Sequence, residues 1–251
     1  MGTCKKWFLK TDLELVKKHF LKENQEVRKL MIIPKTMRLP LCLTLIFNAI
    51  TYNGSRLLTQ NRIHYNFSSI LDEQIPFVPW TVSIYLGCYV FWAVNYVIGC
   101  RQEEEKAFQF ISADLLAKMI CLLCFLTVPT TNIRPVIQGT SVWEEVMRVL
   151  YQMDAADNLL PSIHCLTSSF CFIAVRKNEA VPVWYRITSC FIALSIYIST
   201  LTTKQHILID VFFGIAISEV SYLLAKKSRF SKWYMNFIRK ASKKKEKEKS
   251  I

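Results

Sequence analysis

No Asp, Glu, Lys or Arg occurs between Ile75 and Gly99. A charge-free run of that length can cross a bilayer as a helix, and it excludes a soluble, half-exposed helix there. The apolar core of a cleavable signal peptide is also missing. Charges run throughout the first thirty residues, so no such peptide is expected. No internal repeat is present, and no set of His, Cys, Asp and Glu stands at metal-ligand spacing. Cys121 and Cys124 form a C-x-x-C, but inside the apolar run I-C-L-L-C-F-L, where thiols pack as small hydrophobes. Neither a metal nor a cofactor is expected.

What is present is an apolar chain with basic ends. Of 251 residues, 52% are hydrophobic and the mean hydropathy is +0.23, enough for one domain with a full core. The formal net charge of +13 is concentrated at the two ends. Residues 1–38 hold ten Lys/Arg against four Asp/Glu, and residues 226–251 hold eleven against two. Basic flanks stay in the cytoplasm, so both termini are expected there, which requires an even number of spans. Anionic lipid headgroups are the nearer partner for these ends, and no nucleic acid is expected.

The expected fold is all-α: a polytopic integral membrane bundle of about six transmembrane helices. The spans are read at about 37–52, 75–99, 108–128, 160–175, 183–201 and 207–225, making residues 37–226 one six-span domain. Ahead of it, residues 1–36 form a cytoplasmic segment. Leu9, Leu13, Val16 and Phe20 recur there at helical spacing, which predicts an amphipathic helix over 11–33, either lying on the cytoplasmic bilayer surface or packed on the protein as a solvated helix. Residues 227–251 read as a basic, disordered cytoplasmic tail. Asp114 and Lys118, four apart, read as an interfacial ion pair with a snorkelling lysine. Trp80, Trp92 and Trp184 read as headgroup-level aromatics. Ser141 and Glu144 can cap a short helix over 142–151 in an external loop, with its apolar face on the membrane surface. Asn53-Gly-Ser and Asn66-Phe-Ser fall in another external loop, the right side for asparagine glycosylation.

The chemistry concentrates near the end of the chain, in Pro161-Ser162-Ile163-His164 and in the stretch S-T-L-T-T-K-Q-H-I-L-I-D from Ser199 to Asp210. His206 and Asp210 are four apart and share a helix face. A carboxylate accepting from one imidazole nitrogen fixes the tautomer and leaves the other nitrogen free as a nucleophile. Asp210 stands about one turn inside an apolar run, where an acid is costly without a partner. His164 begins the fourth span. The chain then crosses, turns near Lys177, and returns, so His164 and His206 are expected on the same membrane face. A second imidazole there suits a general acid on a leaving oxygen. Arg134, Ser162, Lys204 and Ser199 share that face and can donate to a phosphate.

These residues resemble the type 2 phosphatidic acid phosphatase superfamily, whose motifs are K-x6-R-P, P-S-x-H and S-R-x5-H-x3-D. The second is intact at 161–164, the third matches at Ser199, His206 and Asp210, and Arg134-Pro135 matches the end of the first. Thr127 stands where the family has lysine and Thr200 where it has arginine. The resemblance implies an outward-facing site in an integral membrane lipid phosphatase. His206 would form a phosphohistidine, oriented by Asp210, and His164 would be the acid and then the base. The implied substrate is a lipid phosphate monoester or a pyrophosphate, such as phosphatidic acid or polyprenyl pyrophosphate, and no metal is implied. Two alternatives share the residues. One is a lipid headgroup phosphotransferase of the inositol-phosphorylceramide or sphingomyelin synthase kind. The other is a non-catalytic lipid-binding relative. A homo-oligomer is compatible with any of these.

Overall fold

The computed structural model describes residues 32–249. The surface helix expected over 11–33 lies outside the described residues, apart from its last two positions. The chain divides at Lys35, and apart from that residue, which opens the first helix, the elements discussed below lie in the unit that starts at Thr36.

Helix α1 (Lys35–Ala49) runs through a π-helical turn, Ile50–Gly54, into α2 (Ser55–Thr59). A two-residue strand β1 (Tyr65–Asn66) and a short helix α3 (Ile70–Gln74) follow. A 3-10 turn, Pro79–Thr81, leads into α4 (Val82–Cys100). Then come α5 (Glu104–Thr127), β2 (Thr130–Thr131), α6 (Val142–Met153), α7 (Ile163–Arg176), α8 (Val183–Thr202), α9 (Leu208–Lys227) and α10 (Phe230–Lys249). The two strands pair in parallel, Tyr65 with Thr130 and Asn66 with Thr131, tying the segment before α4 to the one after α5.

Among the described residues the regular structure is all-helical apart from that pair, and three stretches are long and apolar enough to cross a membrane: Pro79–Cys100, Glu104–Thr127 and Leu208–Lys227. Helix α7 is apolar but shorter, with a length of roughly 21 Å at about 1.5 Å per residue. It packs against α4, α8 and α9, and most of its residues are buried. Its small Ser168, Ser169 and Ala174 let these neighbours come close.

Three expectations are corrected. The Asp114–Lys118 pair forms at 2.9 Å, but both side chains are buried, so the lysine does not snorkel. Lys118 lies instead against the Tyr96 ring, 5.6 Å from its centroid. Trp92 sits in the middle of α4 rather than at its end, and its indole donates to Ser168 Oγ at 2.9 Å. The segment expected to be disordered from residue 227 continues as α9 to Lys227 and then forms α10. Tyr234 and Ile238, one turn apart, are buried where α10 packs on α5, and Tyr234 meets the Phe108 ring edge-on. The basic charge masked an apolar stripe wide enough to hold the helix.

Candidate active site

The two histidines stand at the N-terminal ends of neighbouring helices. Ser162 caps α7, its hydroxyl accepting the Cys165 N–H at 3.3 Å, and His164 follows in the first turn. His206 lies just before α9. Asp210 closes that end, its carboxylate accepting the Ile207 N–H at 3.0 Å. The same oxygen, Oδ2, lies 3.3 Å from His206 Nδ1. The Ser162 N–H donates to the Asp210 carbonyl at 3.0 Å, so the two helix starts are bonded directly. Gly214 permits this approach. A Cβ there would lie 2.6 Å from the Ser162 carbonyl oxygen.

The imidazole rings of His164 and His206 are 6.1 Å apart between centroids. Both line a cavity of about 510 Å³ bounded by α4, α6 and the π turn. Roughly 3–3.5 Å separates reacting atoms in a near-attack arrangement, so this spacing suits a phosphorus atom bridged by the two rings. With Nδ1 facing Asp210, the free nitrogen of His206 is Nε2. His164 Nε2 is buried without a protein partner, while its Nδ1 lies 3.4 Å from the Tyr85 hydroxyl.

The four expected phosphate donors are placed differently from the histidines, and none lines the cavity. Ser162 is the α7 cap. Ser199 is buried and donates to the Ile196 carbonyl at 2.8 Å. Lys204 adopts a left-handed backbone, φ 53°, and its ammonium donates to the Asp72 carbonyl at 2.8 Å. Arg134 donates to the Asp154 carbonyl and, at 2.5 Å, to Gln205 Oε1, with its guanidinium 4.7 Å from the centre of the Tyr151 ring. Its Nε is buried and unpartnered. Thr200 is fully buried, with its hydroxyl on the Tyr197 carbonyl and 3.7 Å from Cys165 Sγ. Thr127 is exposed, and its hydroxyl bonds to its own helix.

These bonds instead fix the loop that carries His206. Asn132 donates to the Lys204 carbonyl at 2.9 Å and Tyr151 to the Thr203 carbonyl at 2.8 Å. Burial pushes the Tyr151 hydroxyl up to about 12, against the lowering effect of Arg134. Asp72 accepts the Leu208 N–H at 2.7 Å, reaching the first turn of α9 from α3. Burial pushes the Asp72 carboxyl up. The Ser69 hydroxyl, the Leu208 and Ser69 N–H groups and the Lys204 charge outweigh it, holding the group below the usual carboxylate range.

Sequence reasoning missed the other side of the cavity. Tyr85, Tyr89 and Trp92 lie on one face of α4 at spacings of four and three, and all three surround His164. Tyr85 stacks on it at 4.4 Å between centroids, Trp92 lies at 5.3 Å and Tyr89 at 6.4 Å. Asp154, at the end of α6, accepts from the Tyr52 hydroxyl and, at 3.4 Å, from Tyr85. The aromatic spacing on α4 was visible in the sequence, but nothing local tied it to His164. Among the described residues, no group of three or more His, Cys, Asp or Glu could hold a metal ion.

No family model, curated protein or solved structure matches this chain. The assignment of the site therefore rests on its residues and their geometry.

Proposed function

We infer that this protein is an integral membrane enzyme that transfers the phosphoryl group of a lipid phosphate through a histidine, with hydrolysis as the leading outcome. The observation that carries this reading is the imidazole pair 6.1 Å apart on one cavity, with Asp210 on the inner nitrogen of one ring. His206 Nε2 attacks phosphorus, and the bond from phosphorus to the lipid oxygen breaks. His164 donates the proton that the departing oxygen needs. Water then attacks the phosphohistidine, the P–N bond breaks, and His164 takes the water proton. On the six-span reading with both basic ends in the cytoplasm this chemistry faces the extracytoplasmic or lumenal side, and the three helices long and apolar enough to cross a membrane support the membrane part of that reading.

A second reading replaces water with a lipid alcohol. It is favoured by the apolar wall that Val146, Val149 and Leu150 of α6 present to the cavity, which suits an acyl-chain-bearing acceptor. Detergent-purified protein incubated with a panel of lipid phosphates, following phosphate and lipid products together, tests both. Release of free phosphate marks a hydrolase, and a headgroup moved to another lipid marks a transferase. In either case His206→Ala is expected to abolish turnover. Full activity in that variant would remove His206 as the nucleophile.

A further inference from the structure

Helix α10 starts at Phe230, just after α9 ends at Lys227. α9 is one of the stretches long and apolar enough to cross a membrane. A helix that follows such a span so closely begins at the level of the headgroups. Its 20 residues include Lys232, Arg239, Lys240 and a lysine-rich end, a composition that excludes a span of its own.

The side chains of α10 divide its circumference. Ser231, Tyr234 and Ile238, at spacings of three and four, are buried against the bundle. Phe230, Trp233 and Phe237 repeat that spacing one position earlier, so they form a second stripe about 100° round the helix. Their rings stack in series, 5.9 and 5.8 Å between centroids. Trp233 is 60% exposed and Phe237 53%. The roll of the helix is fixed from α5. Arg239 pairs with Glu104 at 3.1 Å, Lys232 with Glu105 at 3.8 Å, and Tyr234 meets the Phe108 ring. These contacts keep the aromatic stripe turned out of the bundle.

The charge around the stripe identifies what covers it. Arg229 stands four residues before Trp233 and Lys240 three after Phe237, so both share the stripe's face and bracket it. Lys226 and Lys227 close α9 immediately ahead. None of these four is in an ion pair among the described residues, unlike Lys232 and Arg239. Aromatic rings settle at the headgroup level of a bilayer, and Lys and Arg beside them there are drawn to anionic lipid. A stripe that only met acyl chains would have no use for cations on its own face.

We propose that α10 is a surface-lying membrane helix: Phe230, Trp233 and Phe237 sink into the headgroup layer, and Arg229, Lys240, Lys226 and Lys227 bind anionic lipid around them. The occupant of the exposed face is the bilayer that α9 crosses. This inference uses none of the histidine cavity and stands apart from the phosphoryl-transfer reading.

The test places the full-length protein in nanodiscs of phosphatidylcholine alone, and of phosphatidylcholine with phosphatidylserine. The emission of Trp233 is taken as the difference between wild type and Trp233→Phe. With phosphatidylserine present, lipids brominated just below the headgroup are expected to quench it at least about threefold more than lipids brominated near the chain ends. Acrylamide, from the water, should quench it at least about threefold less than in phosphatidylcholine alone. The double variant Arg229→Gln/Lys240→Gln should lose most of that second difference. So should wild type in about 1 M salt, a readout that needs no variant to fold. Trp233 equally open to acrylamide in both lipids would overturn the proposal, as would a difference indifferent to both salt and the double variant. Stronger quenching by the chain-end bromines would also overturn it, by putting the stripe in the acyl core. Shielding from acrylamide without quenching by either bromine would overturn it too, and would mark a second copy or another protein segment as the cover.

Discussion

The Ser162 N–H donates to the Asp210 carbonyl at 3.0 Å, so the residue that caps one histidine-bearing helix is bonded to the residue that orients the other histidine. The imidazole spacing is thus set by the backbone, across a contact that only a glycine in the facing helix allows.

Gly214→Ala tests that contact. The new Cβ would lie 2.6 Å from the Ser162 carbonyl oxygen, a backbone atom that cannot swing aside. A cost of about 1–3 kcal/mol is expected from overpacking, read as earlier thermal unfolding in detergent. Turnover should fall more than tenfold, because shifts near 1 Å at a reacting centre cost about a hundredfold. A variant with normal melting and normal turnover would show that α7 and α9 are not held this tightly.

Asp210→Asn keeps an oxygen for the Ile207 N–H and removes the charge beside His206. Turnover is expected to drop by about 10²–10⁴-fold with little change in melting temperature. A large stability loss with proportionate activity loss would instead assign Asp210 to capping alone.

The Asp114–Lys118 pair predicts a non-additive result. Either Asp114→Asn or Lys118→Met alone leaves a buried charge without its partner, at a cost of about 3–5 kcal/mol. The double variant should recover most of that. Thermal unfolding of the three proteins decides, and additive losses would contradict a paired, buried state.

Asp72 carries a pH signature. Its folded-state carboxyl is held below the ordinary range, so its contribution is complete above the unfolded value. It is lost as pH falls through the folded one. Asp72→Asn should therefore cost roughly 1–2 kcal/mol at neutral pH, as other lost helix caps do. The gap from wild type should close as pH drops below about 4. Melting curves of both proteins across that range check this, and a gap independent of pH would deny the carboxylate its role.

Which parts of the molecule were legible beforehand follows from how local their causes are. Ser141 and Glu144 announce α6, and the helix starts at Val142 with both halves of the capping box in place. The His206–Asp210 spacing gave a contact that forms at 3.3 Å. Lys204 failed to reach the cavity for a non-local reason. Its bond is to Asp72, 132 positions away in the chain, and a left-handed backbone at Lys204 turns it there. Trp92 was misplaced because apolar composition marks a span without marking its middle. The apolar stripe of α10, Tyr234 and Ile238, was outweighed by surrounding lysines in any average over the segment.

The π turn at Ile50–Gly54 sets the phase of the wall opposite the histidines. Upstream of its end, Tyr52 reaches Asp154; beyond it, Ser55 and Thr59 meet Asn158. Each residue of an α-helix advances the face by roughly 100°. Removing one residue here would restore a plain α-helix and rotate one of those two sets away from its partner. A single-residue deletion, invisible to composition and hydropathy, would thus part either Tyr52 from Asp154 or Ser55 and Thr59 from Asn158.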